Sequence, residues 1–390
     1  MVLPLITFPY LVRVLGIETF GLVNFSLAII GYFNMLVSFG FELSATKEIS
    51  INRDNKEKMS EIFSAVTFIK TIMFILSFIL LTILIVFIDL LNENLLLYYT
   101  TFGIVLGNIL FPSWFFQGVE KMKYITIITV VTRMFFTIFI FVLVQDKDDF
   151  IYVPLLNSFG AILGGVFALR VIFKTYSIKL YIPAKKIIFR QLKDSYYYFV
   201  SRVANNGSRL FATTIIGAYF GNTAVGYYSL VEKLFYAFTS MGGVVSQTIY
   251  PYMSRTKDLK FLKKILLLTI ILSIPILFAL MSFRVSLLMI VFNIQNEMAS
   301  NIFLIVFSGA LFSIVSSIIG YPLLAAFGYP KYANNSLIYS SIIYLIYILI
   351  VVFLTNNIYY TSFSIVVYMM SGLLFRIYFI KKTELLKNSV

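Results

Sequence analysis

Phe63–Ile88 reads FSAVTFIKTIMFILSFILLTILIVFI, an apolar run carrying one charge, Lys70. A bilayer core is about 30 Å thick, and a helix needs roughly 20 apolar residues to cross it. This run is long enough, and water offers it no stable place. Lipid does not take its charge cheaply either. A basic side chain at the bilayer centre costs at least about 2.5–3.5 kcal/mol, so it is expected to face an internal cavity or a partner. Counted from a span beginning near residue 61, Lys70 lies roughly 14 Å deep, close to the midplane.

The rest of the chain repeats that pattern. Of its 390 residues, 60% are hydrophobic and only 12% charged, too little polar surface for a soluble protein of this size. Apolar runs predict helices near 21–41, 61–88, 95–117, 124–144, 150–172, 196–220, 226–250, 265–292, 298–321, 334–354 and 361–380. The opening Met1–Val12 is apolar but too short to span, and reads as the back half of a further helix. The fold class is therefore all-α, a polytopic membrane bundle. Spans recurring throughout exclude a signal peptide followed by a soluble domain. With no histidine and no cysteine, the chain lacks the usual zinc ligands, thiol nucleophiles, disulfides and histidine bases. No P-loop and no serine nucleophile elbow appears, so no metal, cofactor or enzymatic activity is expected.

The net charge of +14 sits mostly in short loops, the pattern of membrane topology rather than of nucleic-acid binding. One set of loops carries Lys47, Arg53, Lys56 and Lys58, the run Lys174–Lys193, Arg255–Lys264, and the tail Lys381, Lys382 and Lys387. The alternate set has only Arg13 and Lys147, the latter outnumbered by Asp146, Asp148 and Asp149. The positive-inside rule makes the first set cytoplasmic, and the C-terminus with it. The longest basic loop divides the chain into a lobe at 1–172, with its first helix incomplete, an inter-lobe loop at 173–195, and a lobe at 196–390. The halves repeat weakly. Gly16 and Gly21 match Gly221 and Gly226; Pro112, Gly118 and Lys123-Tyr124 match Pro322, Gly328 and Lys331-Tyr332. Six helices in each lobe then predict a parallel-repeat transporter with its substrate site between the halves.

Arg202, Asn206, Arg209 and Thr213 follow steps of four, three and four, one face of an α-helix. Arginine holds phosphate oxygens bidentately, so this stripe is a candidate anion site. Lys70 and Arg133, each near the midplane of a first-lobe helix, are expected to line the same cavity. Glu232 is the obvious intramembrane acid and reads as a charge pair or coupling group with Lys233. Glu42 and Glu61, at span ends, read as interfacial; Arg170, Arg284 and Arg376 read as residues that snorkel to the surface.

Three segments carry a family resemblance. PLITFPYLVRVLGIETFGL (Pro4–Leu22), YFNMLVSFGFELSATKEIS (Tyr32–Ser50) and WFFQGVEKMKY (Trp114–Tyr124) resemble polysaccharide repeat-unit flippases of the Wzx type, in the multidrug/oligosaccharidyl-lipid/polysaccharide exporter superfamily. The first half carries the specific likeness; the second matches mainly in helix layout. The resemblance implies a MATE-like bundle of two six-helix lobes in the bacterial cytoplasmic membrane, both termini cytoplasmic. It also implies alternating access for an undecaprenyl-pyrophosphate-linked oligosaccharide bound for O-antigen or capsule. Expected partners are that lipid-linked substrate, membrane lipids and the polymerase and chain-length machinery. Two other readings compete. A drug or cation exporter of the same superfamily would want acids where this chain places cations. A membrane polymerase would want a large outer loop or a catalytic histidine, and the chain has neither.

Overall fold

A computed structural model describes the backbone of residues 2–385 and their side chains outside 2–5, 201, 204 and 205. Met1 at the opening and Lys387 in the basic tail lie outside the described residues. The chain forms two compact units, Met1–Leu210 and Phe211–Val390. No strand occurs among the described residues.

The first unit contains α1 (Val2–Ser38), α2 (Phe41–Ile51), α3 (Lys56–Phe87), α4 (Asp89–Asn92), α5 (Leu95–Leu110), α6 (Ser113–Gly118), α7 (Met122–Leu143), α8 (Tyr152–Tyr176) and α9 (Lys185–Arg202). A π-helical turn, Val203–Gly207, leads into α10 (Ser208–Thr256), which carries the chain into the second unit. There follow α11 (Leu259–Ser282), α12 (Arg284–Phe292), α13 (Glu297–Ser308) and α14 (Ala310–Ile319). A second π segment, Gly320–Ala325, precedes α15 (Pro330–Thr355), α16 (Ile358–Ser362) and α17 (Ser364–Lys382). Among the described residues nine helices are long and apolar enough to cross a membrane, so the protein is a multi-pass membrane protein.

The bundle is apolar both inside and outside. In the first unit Phe41, Phe63, Trp114, Phe115 and Ile172 are buried together. In the second, Met253, Ile318, Leu324, Ala333 and Phe379 form the equivalent cluster. Yet Ile75, Leu76, Ile79, Ile83 and Phe87 on α3, and Ile350, Phe353 and Leu354 on α15, are exposed. Such a surface requires lipid around it. Lipid removes the hydrophobic drive between helices, so close fit has to supply it. At Gly103, where α5 meets α8, a Cβ would stand 2.7 Å from that of Ser158. Ser158 Oγ donates to the Thr100 carbonyl at 2.6 Å, and Asn108 Nδ2 donates to Asn34 Oδ1 at 2.7 Å between α5 and α1.

Two glycines stand out by backbone rather than by packing. Gly16 breaks α1 at φ 75°, ψ 166°, and Gly221 breaks α10 at φ 79°, ψ 177°. Only glycine occupies that region without strain. Space is not the reason, since nothing lies within 4 Å of a Cβ built at either position. Gly16→Ala and Gly221→Ala should therefore each destabilise the protein by about 1–3 kcal/mol in thermal unfolding. Gly243, equally open and free of positive φ, gives the control: Gly243→Ala should be neutral or stabilising by about 0.5–1 kcal/mol.

The chain departs from its sequence pattern at the middle. The stretch 173–195, expected to be a loop, is helical to Tyr176 and again from Lys185, which leaves 177–184 as the connection. The compact units divide after Leu210, and Arg202, Asn206 and Arg209 fall in the first of them.

Candidate functional site

The polar face of α9 fastens it to α2 and α3. Gln191, wholly buried, donates through Nε2 to Glu48, and the hydroxyls of Ser195 and Ser44 lie 2.6 Å apart. Gly40, just before α2, admits the approach: a Cβ there would stand 2.7 Å from the Phe199 amide nitrogen. Arg190 Nη2 reaches Glu61 Oε1 at 3.4 Å, and Lys58 Nζ reaches the same oxygen at 2.8 Å. At the far end of this zipper, Arg202 Nη1 donates to Glu42 Oε2. The pair is partly open, with about a third of each side chain exposed (32% and 33%).

Lys70 belongs to the same place. It is 3% exposed on α3, and the charges acting on its ammonium group are those of Glu42 and Arg202. Among the described residues no carboxylate forms an ion pair with it, so Glu42 pairs with Arg202 while Lys70 stays a buried cation nearby. Glu42, at a span end, is the counter-ion of Arg202. Its partner lies 160 residues away, beyond the reach of helical periodicity.

The remaining candidates separate. The π turn at Val203–Gly207 interrupts the periodicity on which the arginine stripe was counted. Asn206, within that turn, is half-buried, Arg209 is exposed, and Thr213 is buried. Asn205, in the same turn, has its side chain outside the described residues. Arg133 is exposed on α7 and forms no ion pair among the described residues. It shares a polar stripe with Thr126, Thr129 and Thr137, at steps of three, four and four. Ile127, Val131, Met134 and Ile138 form a separate exposed apolar stripe on that helix. Glu232 and Lys233 are both half-buried on α10, and each charge acts on the other.

Arg376 corrects a second expectation. It does not snorkel: it is 5% exposed inside the second unit. Its Nε donates to Ser336 Oγ at 3.1 Å, and its Nη1 donates to the Ser316 carbonyl and, at 2.8 Å, to Ser316 Oγ. Gly320 leaves it room, since a Cβ there would stand 2.7 Å from the guanidinium carbon. Among the described residues no carboxylate pairs with it. Its negative partner is the carbonyl end of α14, where the helix dipole favours a cation. The readable signal was a serine ladder, Ser336 and Ser340 at i and i+4 on α15. Arg284 is held at a helix break, its Nε donating to Ser300 Oγ at 2.9 Å and its Nη1 to the Met281 carbonyl at 3.0 Å. Arg170 is exposed near the end of α8.

Known proteins match the chain in two ways. The family of polysaccharide biosynthesis proteins matches residues 1–257. A protein of Escherichia coli (strain K12) described as "Putative O-antigen transporter" is 31% identical over 266 residues, 68% of this chain. The matched region spans 64% of that relative's length. Among solved structures, lipid II flippase MurJ in an inward closed conformation superposes with a TM-score of 0.80 at 15% identity. It covers 99% of this chain and 87% of the flippase. An inward-facing multidrug resistance transporter of the MATE family superposes with a TM-score of 0.71 at 14% identity, over 100% of this chain and 96% of the transporter. At such identities the likeness is one of fold, and it shows a MATE-like helix bundle. The family match ends at residue 257, whereas the fold match runs through the whole chain.

Proposed function

We propose, since the chain belongs to the family of polysaccharide biosynthesis proteins, that it is a flippase for a lipid-linked oligosaccharide. The observation that carries the reading is the cluster at Arg202. Arg202 pairs with one carboxylate, and a second cation, the buried Lys70, feels both charges, so net positive charge is left over. A drug or cation exporter would be expected to show the opposite balance. The description of the E. coli relative as an O-antigen transporter points to the same class of cargo.

In this reading the substrate is an undecaprenyl-pyrophosphate-linked repeat unit, and the chain moves it across the bacterial cytoplasmic membrane by alternating access. Arg202 and Lys70 hold the pyrophosphate, Arg133, Asn206 and Arg209 extend the cationic path, and the polyprenyl tail stays in lipid. The protein moves its cargo without making or breaking a covalent bond in it. The C-terminus is cytoplasmic. The Glu232 and Lys233 pair serves coupling, and the polymerase and chain-length machinery receive the product.

Complementation tests this. Expressed in a strain lacking its own O-antigen flippase, the protein should restore surface polysaccharide. The double variant Arg202→Ala/Arg209→Ala should reduce export at least about tenfold while still accumulating in the membrane. Undiminished export by the double variant would refute the site. Resistance to cationic dyes without polysaccharide export would refute the substrate class.

A further inference from the structure

We propose that Glu42 is a built-in stand-in for the substrate's phosphate: its carboxylate occupies the anion site of Arg202, near the buried Lys70, and must be displaced before the pyrophosphate can bind. The inference rests on the flippase reading and adds a residue to it.

Three observations carry it. The first is chemical: a carboxylate and a phosphate present the same acceptor geometry to a guanidinium, so the group Arg202 holds now marks where a phosphate oxygen would sit. The second is charge balance. Lys70 and Arg202 bring two positive charges and Glu42 one negative, so the cluster stays cationic while Glu42 is in place. A dianionic phosphate group in its stead would neutralise both cations. The third is access. Lys70 is 97% buried and fixed in α3, whereas Arg202 and Glu42 remain a third exposed. Arg202 is also the last residue of α9, directly before the π turn. It is the member of the cluster placed to change partners. Neighbouring polar contacts are built differently: Gln191 and Ser195, which fix α9 to Glu48 and Ser44, are themselves wholly buried and bring no positive charge to their partners.

An occupied site lowers apparent affinity in proportion to the fraction of time it is blocked. Removing the blocking carboxylate while keeping its shape should release that fraction. The test uses the full chain, purified into nanodiscs of zwitterionic lipid, with inorganic pyrophosphate as the probe. Glu42→Gln should tighten pyrophosphate binding about tenfold. Glu48→Gln removes the same unit of charge from the same helix without freeing an arginine, and should change binding less than about twofold. Arg202→Ala should abolish binding, and Glu42→Gln should gain nothing in the Arg202→Ala background.

Equal tightening by Glu42→Gln and Glu48→Gln would mean general electrostatics and overturn the proposal, leaving the flippase reading standing on the Arg202→Ala loss. Absence of pyrophosphate binding in every variant would overturn the reading and the proposal together. A second arm identifies the source of the phosphate. In nanodiscs containing phosphatidylglycerol the tenfold difference should persist. If the anionic bilayer erases it, the site takes ordinary lipid headgroups and the proposal is overturned. Melting curves of the two glutamine variants within about 2 °C of the parent would show that the comparison is between folded proteins.

Discussion

Arg376→Ala should destabilise the second unit by about 3–5 kcal/mol and lower its unfolding temperature by roughly 10 °C. The substitution removes three hydrogen bonds donated by one charged group, spanning α14, α15 and α17. It strands the Ser316 hydroxyl in a dry interior and empties the space beside Gly320. Hydrogen bonds from a charged donor are worth about 1.5–3 kcal/mol each, and lost partners add desolvation that is not recovered. Arg376→Lys should rescue little, because an ammonium is a point charge and cannot repeat the fork that reaches Ser336 and Ser316 together. Gly320→Ala should approach the same loss from the other side, by driving a methyl into the guanidinium. Thermal unfolding of the purified variants in nanodiscs is the measurement. A curve for Arg376→Ala that overlays the parent's would mean that the guanidinium supports nothing.

Glu42→Lys should destabilise the first unit. It sets a third cation against Lys70 and Arg202, with Lys70 unable to reach water. Breaking a buried pair in this sense costs about 3–5 kcal/mol, and less to the extent that Arg202 is exposed. Membrane accumulation should fall severalfold, as judged by immunoblot of washed membranes. The charge swap Glu42→Lys/Arg202→Glu restores one pair and the original net charge, so accumulation should recover. Export should not recover, because the guanidinium is gone from position 202. Recovery of both would reduce the pair to a structural tie; recovery of neither would place its importance in shape rather than charge.

The membrane fold could be read directly from the sequence because lipid imposes length and apolarity on each span. What escaped has physical causes. The helix at Lys185–Arg202 is largely polar, so no apolar run announces it; it is buried through Gln191 and Ser195 against α2 instead. The π turn at Val203–Gly207 changes the number of residues per turn, which a count at 3.6 does not register. Distance from a span end makes Arg376 a snorkelling residue by sequence, yet burial is decided by its neighbours on α14 and α15. Lys70 is buried on α3, a regular helix along which depth follows from counting. The carboxylate whose charge acts on it, on another helix, could not be counted to.

The two glycine breaks bear on the protein's ancestry. Gly16 and Gly221 stand at matching places in a weak internal repeat, and both backbones pass through the same region of conformational space, which other residues reach only under strain. A tandem copy of one ancestral gene explains this simply. Drift rewrites a side chain by small steps, but a glycine-only bend offers no tolerated intermediate. These bends would then be the oldest marks in the chain, and a reconstructed half-length ancestor should carry one of them.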